Sequence, residues 1–174
     1  MLISLLTAAD AVVYRELMLE AYVLASDAFT STAEERAAEP ESWWVKRIAH
    51  PLGLSAAFGV RDGTELLGAV ALEYSAKPKT KHSVLLIGMY VREQARGKGL
   101  GKALLQAAVR HAEAREETKV ITLAVTEGNT AAVHLYLSAG FRAWGLEPMA
   151  IATPSGFKAK VHMSKALLRA SAAA

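Results

Sequence analysis

The segment Met89-Tyr90-Val91-Arg92-Glu93-Gln94-Ala95-Arg96-Gly97-Lys98-Gly99-Leu100-Gly101-Lys102 joins an apolar stretch to an amphipathic one through a basic, glycine-dense turn. Gly97, Gly99 and Gly101 alternate along it, so the Cβ atoms that would hold a ligand off the backbone are missing and positive φ is accessible. N–H groups at the start of a helix have no intrahelical partner, and the helix dipole adds positive charge there. A phosphate suits such a place. Arg92, Arg96, Lys98 and Lys102 add full charges. The glycines alone are equally compatible with a flexible surface loop, so the flanking chain has to decide.

Before the turn, Ser83 to Val91 is a nearly continuous run of β-formers, the pattern of a strand covered on both faces. After it, Leu100, Ala103, Leu104, Ala107, Ala108 and Val109 recur at helical spacing in a segment ending near Glu117. A Walker A loop needs Ser or Thr after Gly-Lys, whereas Gly97-Lys98 is followed by Gly99 and Gly101-Lys102 by Ala103. A dinucleotide fingerprint lacks its last glycine, because Lys102 and Leu104 occupy the positions that would supply it.

Arg96-Gly97-Lys98-Gly99-Leu100-Gly101 resembles the [RQ]-x-x-G-x-[GA] signature of the GNAT superfamily of N-acetyltransferases. Downstream, Asn129 to Phe141 is similar to that family's second segment, an asparagine, a tyrosine two helical turns on (Tyr136), then Gly140-Phe141. The resemblance is strong over about residues 84 to 142. It implies an α/β fold with a central mixed, mostly antiparallel sheet, helices on both faces, and two parallel strands splayed apart at a site for acetyl-CoA. The glycine turn, Arg96 through Lys102, would hold the pyrophosphate, and the backbone of Met89, Tyr90 and Val91 would pair with the pantetheine arm like an added strand.

Length and composition bound the rest. The chain has 174 residues, 52% of them hydrophobic, enough for one good core, so residues 1–168 are read as a single domain with a frayed tail over 169–174. A net charge of +3 without a basic stripe argues against nucleic acid. The absence of cysteine excludes disulfides, thiolate metal sites and a thiol nucleophile, and no metal site is expected. The first residues are apolar but carry no basic leader and are too short to span a bilayer, so a soluble, cytoplasmic protein without membrane contact is expected. A homodimer is compatible with the sequence.

Strands are expected at 2–6, 54–60 and 66–74, the last two joined by a hairpin at Asp62-Gly63, then at 84–91 and 120–125, and a closing pair at 141–152 and 158–164. Helices are expected after Thr7, from Thr32 to about His50 with an interruption at Pro40, after Gly99, and after Asn129.

In this family, resemblance further implies, an amine attacks the thioester and the CoA thiolate leaves. Asn129 and Tyr136 are seven residues apart, and seven steps of about 100° return to within about 20° of one direction, so both face one way on a helix. A tyrosine is protonated at neutral pH and can supply the proton the thiolate needs, which makes Tyr136 the candidate general acid; the resemblance implies that it and Asn129 lie beside the cofactor. The simpler readings are a helix cap for Asn129 and a core tyrosine for Tyr136. Several family members carry a glutamate early in the strand before the turn, where this chain has Leu85 and Leu86; Glu73, on the preceding strand, is the nearest carboxylate and the candidate base, ahead of His82, Glu93 and His134. Tyr22, Phe29, Trp43, Trp44, Trp144 and Glu147 are candidates to shape the acceptor site. The expected reaction is N-acetylation of a small-molecule amine by direct attack in a ternary complex. The alternatives are a protein or peptide N-terminal acetyltransferase, or a CoA-binding sensor without catalysis.

Overall fold

A continuously apolar stretch of the chain becomes an interior strand of the sheet. In the computed structural model, which describes residues 1–167, Leu66 through Leu72 are buried without interruption and form the centre of strand β3 (Glu65–Tyr74). A strand buried on both faces must be covered twice, and two sets of helices do this. The sheet is β1 (Leu2–Leu5), β2 (Ser55–Asp62), β3, β4 (Ser83–Val91), β5 (Val120–Thr126), β7 (Gly156–Ala166) and β6 (Arg142–Thr153), in that spatial order. Every neighbouring pair is antiparallel except β4 and β5. Those two are joined by helix α4 (Leu100–Ala114), the kind of crossover that parallel strands need.

One face carries α4 and α5 (Thr130–Ser138), whose Leu104, Leu105, Ala108 and Tyr136 pack with Val70, Leu72, Ile121 and Phe141. The other face carries α1 (Ala11–Leu24) and α3 (Glu41–Ile48), whose Tyr14, Leu17, Met18, Trp44 and Ile48 pack on Ala57, Ala69 and Ala71. Small residues on that side of β2 and β3 leave room for the bulky helix side chains. Each fully buried Leu or Met contributes about 1.5–3 kcal/mol relative to exposure.

The expected strand and helix order is present, including the interruption at Pro40, with differences at two places. The helix after Thr32 is two helices, α2 (Ala33–Ala37) and α3, and Pro40 is the residue before α3, where its missing N–H costs no helical bond. The Thr32/Glu35 capping box is formed, the Glu35 N–H donating to Thr32 Oγ1 at 3.2 Å and the Thr32 N–H to Glu35 Oε2 at 2.8 Å. Thr7 precedes a short 3-10 turn (Ala8–Asp10) rather than α1 itself. The expected tail over 169–174 lies outside the described residues, within which no helix is long and apolar enough to cross a membrane.

The second difference shapes the site. Ile87 pairs with Ala71 and Tyr90 with Ala69, so Gly88 and Met89 together oppose Val70: β4 carries a bulge. Gly88 has φ of 60°, a conformation glycine adopts without strain. The divergence from β5 begins just before it. The parallel pairing stops after Ser83, Val84 and Leu85, matched to Val120, Ile121 and Thr122. The rest of β4 stays with β3, and the rest of β5 stays with β7.

At Gly68, on β3 opposite Val91, an added Cβ would stand 2.8 Å from the Tyr90 carbonyl oxygen and 3.2 Å from Val91 Cα, backbone that cannot swing aside. Gly68→Ala should therefore destabilise the fold by about 1–3 kcal/mol. Urea denaturation read by tryptophan fluorescence checks this, and an unchanged midpoint would show that β3 and β4 have slack.

Candidate active site

Divergence of β4 from β5 opens a cleft of about 290 Å3. Its floor is formed by Leu85 to Met89 of β4 and Leu123 to Thr126 of β5, whose facing edges are unpaired beyond the Leu85–Thr122 pair. Helix α5 contributes Asn129, just before its first residue, with Ala132 and Tyr136. The connection from α1 to α2 contributes Phe29, Thr30 and Ser31, and Tyr22 stacks edge-on to Phe29 with ring centroids 4.6 Å apart. Arg36, Arg47 and Lys160 complete the lining.

The glycine turn stands at the end of β4. After Val91 the chain makes a 3-10 turn (Glu93–Ala95), and Arg96 Nε donates to the Val91 carbonyl at 3.0 Å, fixing the exit of the strand. Gly99 caps α4 with φ of 75°, and a Cβ there would meet nothing within 4 Å; the glycine serves the backbone's hand rather than a lack of space. Gly101 rests against Leu135 of α5. From Gly97 through Lys102, no backbone N–H has an acceptor among the described residues; the next, Ala103, bonds to Gly99. Lys98 and Lys102 are exposed beside these groups. An array of free N–H donors at a helix start, flanked by cations, fits the charge and geometry of a pyrophosphate. Arg92 does not add to that charge: it is ion-paired with Glu20 at 3.1 Å and with Glu65.

Of the three expected strand residues, Met89 lines the cleft. The side chain of Tyr90 points into the opposite core, where its hydroxyl donates to Glu20 Oε1 at 3.2 Å; burial and that carboxylate both push its pKa up. Val91 packs on the α4 side.

Asn129 and Tyr136 meet in the cleft, and both simpler readings hold as well. Asn129 Oδ1 accepts from the Ala132 N–H at 3.2 Å as the cap of α5, with φ −80° and ψ 68°. It therefore stands half outside the helix, and the seven-residue period does not itself carry its placement. Tyr136 is 6% exposed, its ring 5.8 Å from that of Phe141. Burial pushes its pKa up to about 12.

Glu73 is not part of the lining. Its carboxylate meets Arg47 Nη1 at 3.4 Å, so it reaches the cleft through that guanidinium. His82, Glu93 and His134 are also outside the lining, and among the described residues no aspartate, glutamate or histidine is in it. Of the acceptor-site candidates, Tyr22 and Phe29 line the cleft, Trp43 stands behind it, and Trp44 is core at 1% exposure. Trp144 lies exposed against His162, whose Nε2 is 2.8 Å from Glu147.

Gly88, Arg36, Arg47 and Lys160 escaped the sequence reading. Gly88 had a signal, since a glycine within an apolar strand marks a bulge or a close approach. Arg47 follows Trp43 by one helical turn, a stacking spacing, but nothing local brings Arg36 and Lys160 to the same place.

Comparison with known proteins gives a consistent picture. A model of the acetyltransferase (GNAT) family matches residues 18–141. The chain is 36% identical to the UPF0157 protein YqkA of Bacillus subtilis over 84 residues, 48% of this chain and 22% of that protein. It is 41% identical to an L-methionine sulfoximine/L-methionine sulfone acetyltransferase of Pseudomonas paraeruginosa over 68 residues, 39% of this chain and 36% of that one. The matches thus span about a fifth and about a third of these relatives' lengths. In structure, yncA from Salmonella typhimurium, solved with its cofactor acetyl-CoA, superposes with a TM-score of 0.80 at 20% identity, covering 100% of this chain and 98% of that one.

A phenol held at about 12 stays protonated through the whole range in which proteins are assayed. In an ultraviolet titration, the difference between wild type and Tyr136→Phe should be flat up to about pH 10 and appear only above it. A difference developing near pH 9 would contradict the burial of this hydroxyl.

Proposed function

Because the chain belongs to the acetyltransferase (GNAT) family, whose co-substrate is acetyl-CoA, we propose that it transfers an acetyl group from acetyl-CoA to the nitrogen of a small-molecule amine. The observation that carries this is the combination of three parts: the free N–H array from Gly97 to Lys102 just after β4, the edge of β4 left unpaired beyond Leu85, and the hydroxyl-bearing Tyr136, which lines the cleft together with that edge. They suit the pyrophosphate, the amide-bearing arm and the thioester of one ligand. The relative that acts on methionine sulfoximine supports a small acceptor.

Acetyl-CoA supplies an acyl carbon activated as a thioester. Gly97 through Lys102 bind its phosphates, Arg96 keeps the strand exit rigid, and the β4 edge near Met89 orients the arm and offers backbone N–H to the carbonyl oxygen. Tyr136 gives its proton to the departing thiolate and is restored from solvent. With no cysteine in the chain, the amine attacks directly and no thiol carries the acetyl group. The amine must react as its free base. The proton leaves by water at the open mouth, and Glu73 takes part only through Arg47 and intervening water.

A second reading has one observation in its favour. A groove of about 620 Å3 between the α1–α2 connection and the tip of the β6–β7 hairpin shares Tyr22, Phe29, Thr30 and Ser31 with the cleft, so a longer acceptor such as a peptide N-terminus has somewhere to run. A panel of small amines and short peptides, with release of the CoA thiol as the signal, separates these acceptors from each other and from a sensor that binds without turnover.

Tyr136→Phe should lower kcat by about 10²–10⁴-fold while leaving acetyl-CoA affinity within a few-fold. Unchanged kcat under conditions where chemistry limits would remove Tyr136 as the acid. Gly99→Val forces a side chain into a φ of 75°, at a cost of about 1–2 kcal/mol; the free turn relieves this strain by leaving its shape, and having to regain that shape should weaken acetyl-CoA binding by up to about 5- to 30-fold in isothermal titration. Failure of the wild-type protein to bind acetyl-CoA would overturn the whole assignment.

A further inference from the structure

The charge of the cleft is one-sided. Arg36 comes from α2 and Arg47 from α3, and both guanidinium groups gather on one indole, 4.5 and 5.3 Å from the Trp43 ring centroid. Two like charges on one ring repel each other, and the arrangement persists because the ring and the helices hold it. Their acidic partners are distant for strong pairing, Glu39 at 3.6 Å from Arg36 and Glu73 at 3.4 Å from Arg47, against about 2.7–2.9 Å for a charge-assisted hydrogen bond. Neither acid lines the cleft, whereas both arginines do. Arg36 Nε is buried with no hydrogen-bond partner, and an unmet buried donor is costly. Lys160 adds a third cation from β7.

These charges are badly placed for the phosphates of the donor. Arg47 is tied to Glu73, which pairs with Leu85, and the glycine turn begins after Val91. Six residues of strand at about 3.3 Å each put the two ends about 20 Å apart. The arginines therefore belong to the acceptor half. There, a simple alkylammonium ion meets only like charge, and a neutral amine gains nothing from the guanidiniums.

Resting on the acetyl-transfer reading, we propose that the acceptor is an amine that also carries a carboxylate, an amino-acid-like molecule, and that Arg36 and Arg47 hold the carboxylate while the amino group faces the thioester. A guanidinium presents paired N–H groups that match a carboxylate's two oxygens, and Arg36 Nε gains the acceptor it lacks. The same cations disfavour the ammonium form of the neighbouring nitrogen, which assists an attack that has no lining carboxylate to act as base.

The test uses acetyl-CoA and the twenty common α-amino acids, each beside its carboxamide and its decarboxylated amine, with CoA thiol release as the readout. At least one acid should exceed both neutralised analogues by about 10- to 100-fold in kcat/KM, the effect of one or two charged hydrogen bonds. Arg36→Gln and Arg47→Gln should each shrink that ratio toward one, chiefly through KM, while isothermal titration with acetyl-CoA reports that the variants are folded. Equal or better use of the carboxamides or simple amines, or a ratio that survives both substitutions, overturns the carboxylate proposal and leaves acetyl transfer standing. No thiol release with any acceptor, although acetyl-CoA binds, overturns acetyl transfer and this proposal with it.

Discussion

The structure depends on a pairing that stops early. Parallel strands at the centre of a sheet normally bond along their whole length, but β4 and β5 do so only over Ser83 to Leu85 and Val120 to Thr122. Unpaired backbone in a protein interior is expensive, so the remaining edges need an occupant with donors and acceptors of its own. The bulge at Gly88 and Met89 makes the divergence stable: β4 stays bonded to β3 on its far side while its near side turns away from β5. Packing of α1 against one face and of α4 and α5 against the other keeps the two halves of the sheet in place despite the short seam.

How much of this could be read from the chain differs by element. The turn from Arg96 to Lys102 was legible because its geometry lies in its own sequence: glycine where the backbone must turn left, a helix directly after, cations alongside. Asn129 and Tyr136 were legible through their spacing and their resemblance to a family segment, although the cap geometry of Asn129 means that spacing was a guide rather than the cause. The bulge was harder, since one glycine in a run of β-formers says that something changes without saying in which direction. The arginines could not be read at all. Arg36 and Arg47 belong to separate short helices broken at Pro40, and only tertiary packing puts both on Trp43.

Electrostatics divides the molecule's work. At the turn, partial charges of the backbone dominate and the side chains that help are exposed. In the cleft, the backbone edges are nearly neutral and full charges on Arg36, Arg47 and Lys160 set the field. The same cleft is lined by an uncharged phenol, Tyr136, whose pKa is raised by burial rather than by a neighbouring ion. Arg92 shows how the separation is kept clean: it stands at the turn yet is neutralised by Glu20 and Glu65, so its charge stays with the scaffold.

The far end of the split is not loose. The Thr126 hydroxyl donates to the Asp27 carbonyl oxygen at 2.6 Å, Lys158 is ion-paired with the Asp27 side chain, and the Glu127 N–H donates to the Ala159 carbonyl at 2.9 Å. The short turn Ser26–Ala28 thus straps the end of α1 to β5 and β7. A gap joined at its root by strand pairing and at its tip by a strap is a window frame rather than a notch. The width of a frame is set by the lengths of its sides, here the bonded strands and the chain from Ser26 to Thr32, and not by the volume of any one side chain. Reshaping the aperture is therefore a matter of lengthening or shortening that strap, whereas exchanging residues on its rim changes its chemistry without changing how far it opens.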